Sequence, residues 1–150
     1  MKTTSPRGRA FTAGQESLVL VPYLDQLGFW TIGYGHRMVP GEFVSISPAR
    51  AADILTNDLR VAESGVNSQV HVEITQGIFD ALVDLCHNCG PACLVGTRCL
   101  AALNLGSFVR AREEFLGFVH GGADHHVLPV LVARRQAAAA QLWDAPDEVG

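Results

Sequence analysis

Apolar residues recur along this chain at helical spacing, with one interruption near the start. Ser5-Pro6 reads as an N-cap followed by the first helical position, where a residue without an N–H is tolerated. Ala10, Phe11, Gly14, Leu18 and Val21 then step by three and four, predicting a short amphipathic helix that Pro22 ends, with Glu16 in its last turns. From Tyr23 to Tyr34 the texture turns aromatic and β-branched around Asp25-Gln26-Leu27-Gly28, predicting a β-hairpin whose second strand is Phe29 to Ile32. Gly33 and Gly35 permit a tight bend after it, and Pro40-Gly41 marks a turn before a short third strand at Glu42 to Ser45.

Helical spacing then returns. Ser47-Pro48 repeats the start signal, and Ala51, Ile54, Leu55, Leu59 and Ala62 form the stripe of a long connecting helix. Thr75 can cap the next helix, with Ile78, Leu82, Leu85 and Cys86 on one face and Gly90-Pro91 as its stop. Shorter helices are expected at about Arg98 to Asn104 and Phe108 to Phe118, then a loop from Gly121 to His126 and a final helix from about Val130 to Trp143. One hairpin among several helices, without internal repeats, predicts an α+β fold. Residues 1–150 read as a single domain: an N-terminal helix, hairpin lobe and start of a connecting helix to about residue 60, then a helical lobe from about 61.

Composition narrows the class. A chain of 150 residues can bury a sizeable core unaided, and 48% apolar residues with few charges argue against disorder. No apolar run approaches the roughly 18 residues that span a bilayer. Lys2, Arg7 and Arg9 are not followed by an apolar stretch, so a conventional signal peptide is not expected. The formal charge of −4 is a poor starting point for nucleic-acid binding. Cys86, Cys89, Cys93 and Cys99 leave three readings open: small apolar core residues, a disulfide formed after export, or a metal site. His120, Asp124, His125 and His126, beside Gly121 and Gly122, read as a solvated loop rather than a ligand set.

The candidate chemistry lies around the hairpin. Asp25 follows Glu16 by nine positions and Thr31 follows Asp25 by six, so a helix end, a turn and a returning strand can converge on one cleft. Two carboxyls and a hydroxyl around one reacting atom suit glycoside hydrolysis, in which one carboxyl donates a proton to the leaving oxygen and the other stands ionised beside water or sugar. Spacing alone is weak evidence for this, because a lone helix-end Glu is usually solvated. The neighbouring residues are more specific. Glu16, Pro22 to Gly28, and Trp30-Thr31-Ile32-Gly33-Tyr34-Gly35-His36 closely resemble the signature of phage-type lysozymes (endolysins or muramidases), in which a Glu, an Asp and a Thr stand at these intervals. Ile46 to Asp58, Ile74-Thr75-Gln76 with Phe79 to Val83, Asn88 and Gly90, Leu103-Asn104, Leu128-Pro129 and Arg134-Arg135 extend the resemblance over roughly residues 5 to 143.

The resemblance implies a lysozyme-like fold: a small hairpin lobe and a larger helical lobe, joined by a long helix, with a cleft between them. It implies hydrolysis of the β-1,4 bond between N-acetylmuramic acid and N-acetylglucosamine in peptidoglycan, without cofactor or metal. Carried over, Glu16 is the general acid, and Asp25 and Thr31 position the attacking water of an inverting reaction, which needs carboxyls ~6.5–9.5 Å apart; a retaining reaction with Asp25 as nucleophile would need ~5–5.5 Å. Arg134 or Arg135 would pair with Glu16, while His36 would be structural beneath the hairpin. His87, Asn88 and Gly35 would lie in reach of sugar. The implied protein is a monomer without a membrane anchor. It collects in the host cytoplasm, reaches the wall through a membrane lesion such as a holin pore, and lyses the cell.

Some positions depart from the family pattern: Ser17 replaces the usual Gly, Gly96-Thr97-Arg98 replaces a Ser/Thr-rich helix start, and Ala137 to Ala140 replace charged residues. A non-catalytic peptidoglycan-binding or regulatory homologue is the alternative, and a lytic transglycosylase a third reading that Asp25 and Thr31 argue against. The negative charge cannot itself draw the protein to an anionic wall, so cleft shape or local cations (Arg37, Arg98, Arg134, Arg135) must do so.

Overall fold

The structure, a computed structural model, describes residues 1–121 and 124–147. Helix α1 (Pro6–Gln15) starts as the sequence predicts, with Ser5 accepting from the Gly8 N–H. It stops at Gln15, about two turns short of the expected Pro22 boundary, and Val21 belongs instead to strand β1 (Val19–Leu24), with Leu18 just before it. The three- and four-residue steps that suggested a longer helix were coincidental. Pro22 instead sits in an irregular stretch of edge strand β1 between the Val19–Gly33 and Tyr23–Thr31 pairs, where its missing N–H breaks no ladder. Strands β2 (Trp30–Gly33) and β3 (His36–Arg37) complete an antiparallel sheet in the order β1-β2-β3. The third strand is thus His36–Arg37, and Glu42 to Ser45 form none.

Helix α1 is held against α3 (Gln76–Cys89) largely by polar contacts. Two carboxylates one turn apart on α3 take its hydroxyls. Asp80 accepts from the Ser5 N–H at 3.0 Å and from the Ser5 hydroxyl, and Asp84 accepts from Thr12 Oγ1 at 2.8 Å. Residues Gly77 to Cys86 are buried on every side of α3, not only along the predicted face. Around α3 pack α2 (Pro48–Gln69), α4 (Arg98–Asn104), α5 (Phe108–Phe115) and α6 (Pro129–Ala138), which continues as a π-helical turn at Ala139–Trp143. Helix α5 is shorter than expected, ending at Phe115 where Leu116 and Gly117 turn the chain. Ala138 and Ala139 are buried, so the middle of the alanine run belongs to the core, while Ala140 is exposed.

In the predicted Gly121 to His126 loop, His120–Gly121 (β4) pairs with His126–Val127 (β5); Gly122 lies outside the described residues. Among the described residues no His, Cys, Asp or Glu cluster could hold a metal ion, all four cysteines are free thiols, and no helix is long and apolar enough to cross a membrane.

The hairpin lobe is joined to the helical lobe through α2. Ile32 of β2 is fully buried, whereas Leu24, Leu27, Phe29 and Trp30 are exposed, so the lobe has little core of its own. His36 supplies a polar tie: Nδ1 meets Asp58 of α2 at 2.8 Å and Nε2 meets Glu42 at 2.8 Å. Burial disfavours its cation, but the two carboxylates outweigh that and raise its pKa above the ordinary 6.5. A raised folded-state value favours folding below the unfolded value and loses that contribution as pH rises through the folded one. The melting temperature should therefore fall as pH increases from about 6.5 upward. His36→Gln should remove that dependence, and an unchanged slope in the variant would contradict the account.

Two glycines make opposite predictions. A Cβ at Gly77 would lie 2.1 Å from the Leu142 carbonyl oxygen, whereas one at Gly14 would meet nothing within 4 Å. Alanine gains about 1 kcal/mol of helix propensity at either site, but backbone overlap costs about 1–3 kcal/mol or more. Gly77→Ala should lower the melting temperature by several degrees and Gly14→Ala should leave it unchanged or raised, as measured by calorimetry.

Candidate active site

Residue alternation brings the hairpin's contribution to one face. Tyr23 lies directly across from Thr31, and Asp25 follows Tyr23 by two positions, so all three side chains face the same way. Across from them stands Glu16, which caps the C-terminus of α1 with its backbone N–H on the Ala13 carbonyl. Together with His36, Arg37, Asp58 and the α3 end from His87 to Pro91, they line an open cleft of about 640 Å³.

Each of these groups has a defined role in the local geometry. Asp25 Oδ1 accepts from the N–H groups of Leu27 and Phe29 at 2.9 and 2.8 Å, which closes the turn; Oδ2 takes no protein hydrogen bond among the described residues. Thr31 donates its hydroxyl proton to the Phe29 carbonyl at 2.9 Å, leaving Oγ1 an acceptor toward the cleft. Glu16 Oε1 accepts from Arg134 Nη1 at 3.0 Å. Its other oxygen approaches Gly35, where φ is +75° and a Cβ would lie 2.9 Å from Oε2. Glycine at this position thus meets two demands: a left-handed backbone and room for the carboxylate.

Arg134 is the pairing arginine. Its Nε and Nη2 donate to Asp84 at 3.1 and 2.8 Å while Nη1 reaches Glu16. Burial works against the guanidinium, yet Asp84 and Glu16 outweigh it and raise its pKa. Arg135 is fully buried, donating to the Phe118 carbonyl at 3.0 Å and to Asn88 Oδ1, with Nη1 3.9 Å from Asp84 Oδ2. Its burial lowers its pKa, and Nη1 has no hydrogen-bond partner. Neither arginine is therefore a surface cation able to attract an anionic wall. Arg98 lines a separate cavity, and of the four cations only Arg37 stands on this cleft, with its guanidinium 3.9 Å above the Phe29 ring.

The structure brings Glu16, Asp25, Thr31, Gly35, His36, His87 and Asn88 to this one cleft. His36 is tied to Asp58 and Glu42, as described above. Burial lowers the His87 pKa, assisted by Arg134 and opposed by Glu16, Asp58 and Asp84, so its imidazole is neutral at neutral pH. Asn88 has its carbonyl committed to Arg135, which leaves its amide N–H₂ for a ligand. Tyr23 carried no assigned role in the sequence. Its pKa is raised by burial and by the Glu16 and Asp25 charges, so its phenol remains a hydrogen-bond donor between the two carboxylates. Asp84 was also unassigned, although a carboxylate inside the apolar run Leu82-Val83-Asp84-Leu85 is a readable sign of a buried charge partner.

Comparison with known proteins identifies the family and fold. The phage lysozyme family profile matches residues 13–138. The endolysin of Acyrthosiphon pisum secondary endosymbiont phage 1 is 31% identical, covering 91% of this chain and 94% of that protein. The endolysin of Salmonella phage P22 is 32% identical over 93% of this chain and 97% of its own. Among solved structures, the muramidase domain of SpmX from Asticaccaulis excentricus superposes with a TM-score of 0.87 at 28% identity, covering 97% of this chain and 100% of that one. The endolysin from Escherichia coli O157:H7 phage FAHEc1 does so at 0.88 and 25%, covering 99% and 98%. With an α+β lysozyme fold and a matching profile over most of its length, the chain belongs to the phage lysozyme family.

Proposed function

We propose that the chain is an endolysin: a glycoside hydrolase that cleaves the β-1,4 bond between N-acetylmuramic acid and N-acetylglucosamine in peptidoglycan and so lyses the host. The observation that carries this reading is the convergence of Glu16, Asp25 and Thr31 on one cleft, with Glu16 held by Arg134. Glu16 donates a proton from its cleft-facing oxygen to the leaving glycosidic oxygen. A water donates one hydrogen bond to Asp25 Oδ2 and one to Thr31 Oγ1, both free to accept, and one of its lone pairs points at the anomeric carbon. Asp25 takes the proton that water loses, and the configuration inverts. Neutral His87, the Asn88 amide and the Tyr23 phenol supply hydrogen bonds to sugar hydroxyls and acetamido groups. Gly35 contributes a close backbone surface.

With Arg134 and Arg135 buried in internal contacts, cleft shape and Arg37 carry recognition in a chain of net charge −4. The protein acts as a single-domain monomer, made in the host cytoplasm and admitted to the wall through a membrane lesion such as a holin pore. This route rests on the family resemblance.

Lysis of permeabilised Gram-negative cells, combined with mass spectrometry of the released fragments, tests the proposal. The wild type should release muropeptides with reducing ends. Glu16→Gln should lower the rate by about 10²–10⁴-fold while still sedimenting with sacculi. Anhydromuramic ends would indicate a transglycosylase, binding without reducing ends a non-catalytic module, and full activity in Glu16→Gln would remove it as the acid.

A further inference from the structure

Of the four cysteines, Cys89 is exposed on the cleft wall, while Cys86 and Cys93 face each other. Cys86 is buried in the last turns of α3, Cys93 is half-buried in the turn that follows, and their sulfurs are 3.8 Å apart. The other two are engaged elsewhere: Cys89 Sγ accepts from Arg135 Nη2 at 3.3 Å and the Cys99 thiol donates to the Ala111 carbonyl at 3.5 Å. The chain between Cys86 and Cys93 contains His87 to Pro91, all of which line the cleft.

We propose that Cys86 and Cys93 are an oxidation site, forming a disulfide that closes a ring across the cleft wall by exchange with a protein or low-molecular-weight disulfide. A bond of about 2.05 Å requires each sulfur to move by somewhat under 1 Å. That lies within the reach of side-chain rotation where one partner is in a turn rather than a helix. The order of events follows from exposure. Cys86 is sealed from solvent, so Cys93 is the point of attack. The Cys86 thiol, hydrogen-bonded to Cys93, lowers the Cys93 pKa, and the Arg135 charge acts in the same direction against burial. A Cys93 thiolate attacks one sulfur of the oxidant, forming a mixed disulfide and expelling the other sulfur as a thiolate. Cys86 then loses its proton to that thiolate and attacks the Cys93 sulfur, and the second oxidant thiol leaves. Two cysteine thiols are oxidised, and one oxidant disulfide is reduced to two thiols.

The ring holds the wall that carries His87 and Asn88 and restricts the unfolded chain, so oxidation should stabilise the protein whether or not the cleft hydrolyses peptidoglycan. For the eight-residue loop from Cys86 to Cys93, the expected rise in melting temperature is about 5–10 °C.

The experiment equilibrates the reduced full chain with glutathione disulfide and reads thiol number, intact mass, a peptide map and the melting temperature. The proposal expects titratable thiols to fall from four to two, the mass to drop by two hydrogens, and one cross-linked pair, Cys86–Cys93. The melting temperature should rise and return on reduction. Cys93→Ser should abolish the cross-link and the rise, and Cys89→Ser should retain both. Four persistent thiols, glutathione held on Cys93 without a cross-link, or a pair involving Cys89 or Cys99 would overturn it. The wild-type peptide map decides this even if a variant fails to fold.

Discussion

The guanidinium of Arg134 is the interaction on which the cleft depends. It lies almost fully buried between Asp84 on the central helix and Glu16 at the end of α1, so one side chain from the last helix joins three distant parts of the chain. A buried cation is tolerated only when its hydrogen bonds and charge are met, and here Asp84 meets most of both. Asp84 accepts two of the guanidinium's bonds and Glu16 one, through a single oxygen. Glu16 is thereby oriented without being consumed, and its second oxygen faces the space kept open by Gly35.

The same logic explains how α1 is placed. Its docking on α3 uses hydroxyls on two buried carboxylates, Ser5 on Asp80 and Thr12 on Asp84. Directional bonds of this kind fix rotation and register more tightly than apolar contact does. Since Asp84 serves both Thr12 and Arg134, the position of α1 and the aim of Glu16 are set by one carboxylate. On the opposite wall the hairpin relies on its own turn chemistry, with Asp25 closing the loop that presents it. The lobe's exposed apolar surface and small core leave α2 and the His36–Asp58 contact to hold that wall in place.

What the sequence could convey follows from this division. Helix starts marked by Ser47-Pro48 and Thr75, and the stripe along α2, were readable because capping and amphipathic burial depend on local residues. The shared face of Asp25 and Thr31 was readable for a similar reason, since a hairpin's alternation fixes which side chains lie together. The end of α1 was not. Its apolar steps are weak, its docking is polar, and the partners lie far away in the chain. Pro22, read as a helix stop, instead occupies an irregular edge strand, where any account based on a single segment would misplace it. The burial of Arg134 and Arg135 was likewise hidden, because nothing local distinguishes a solvated arginine from one whose carboxylate arrives from another helix. The family resemblance implies an arginine beside Glu16 and leaves open which of the two it is.

The most direct test of this arrangement separates the aiming of Glu16 from the stability of the fold. Arg134→Met alone takes two charge-assisted bonds from buried Asp84 and leaves it Thr12 and the more distant Arg135 Nη1 at 3.9 Å, a loss of up to about 3–5 kcal/mol that would confound any activity measurement. In Asp84→Asn/Arg134→Met the carboxylate is gone as well, and Arg135 keeps its bonds to Phe118 and Asn88, so part of the lost melting temperature should return. The decisive quantity is kcat on purified sacculi for the double variant. The account predicts that it stays roughly 10²-fold below wild type, because the carboxyl is no longer held in line. Wild-type kcat in a double variant of restored stability would contradict it.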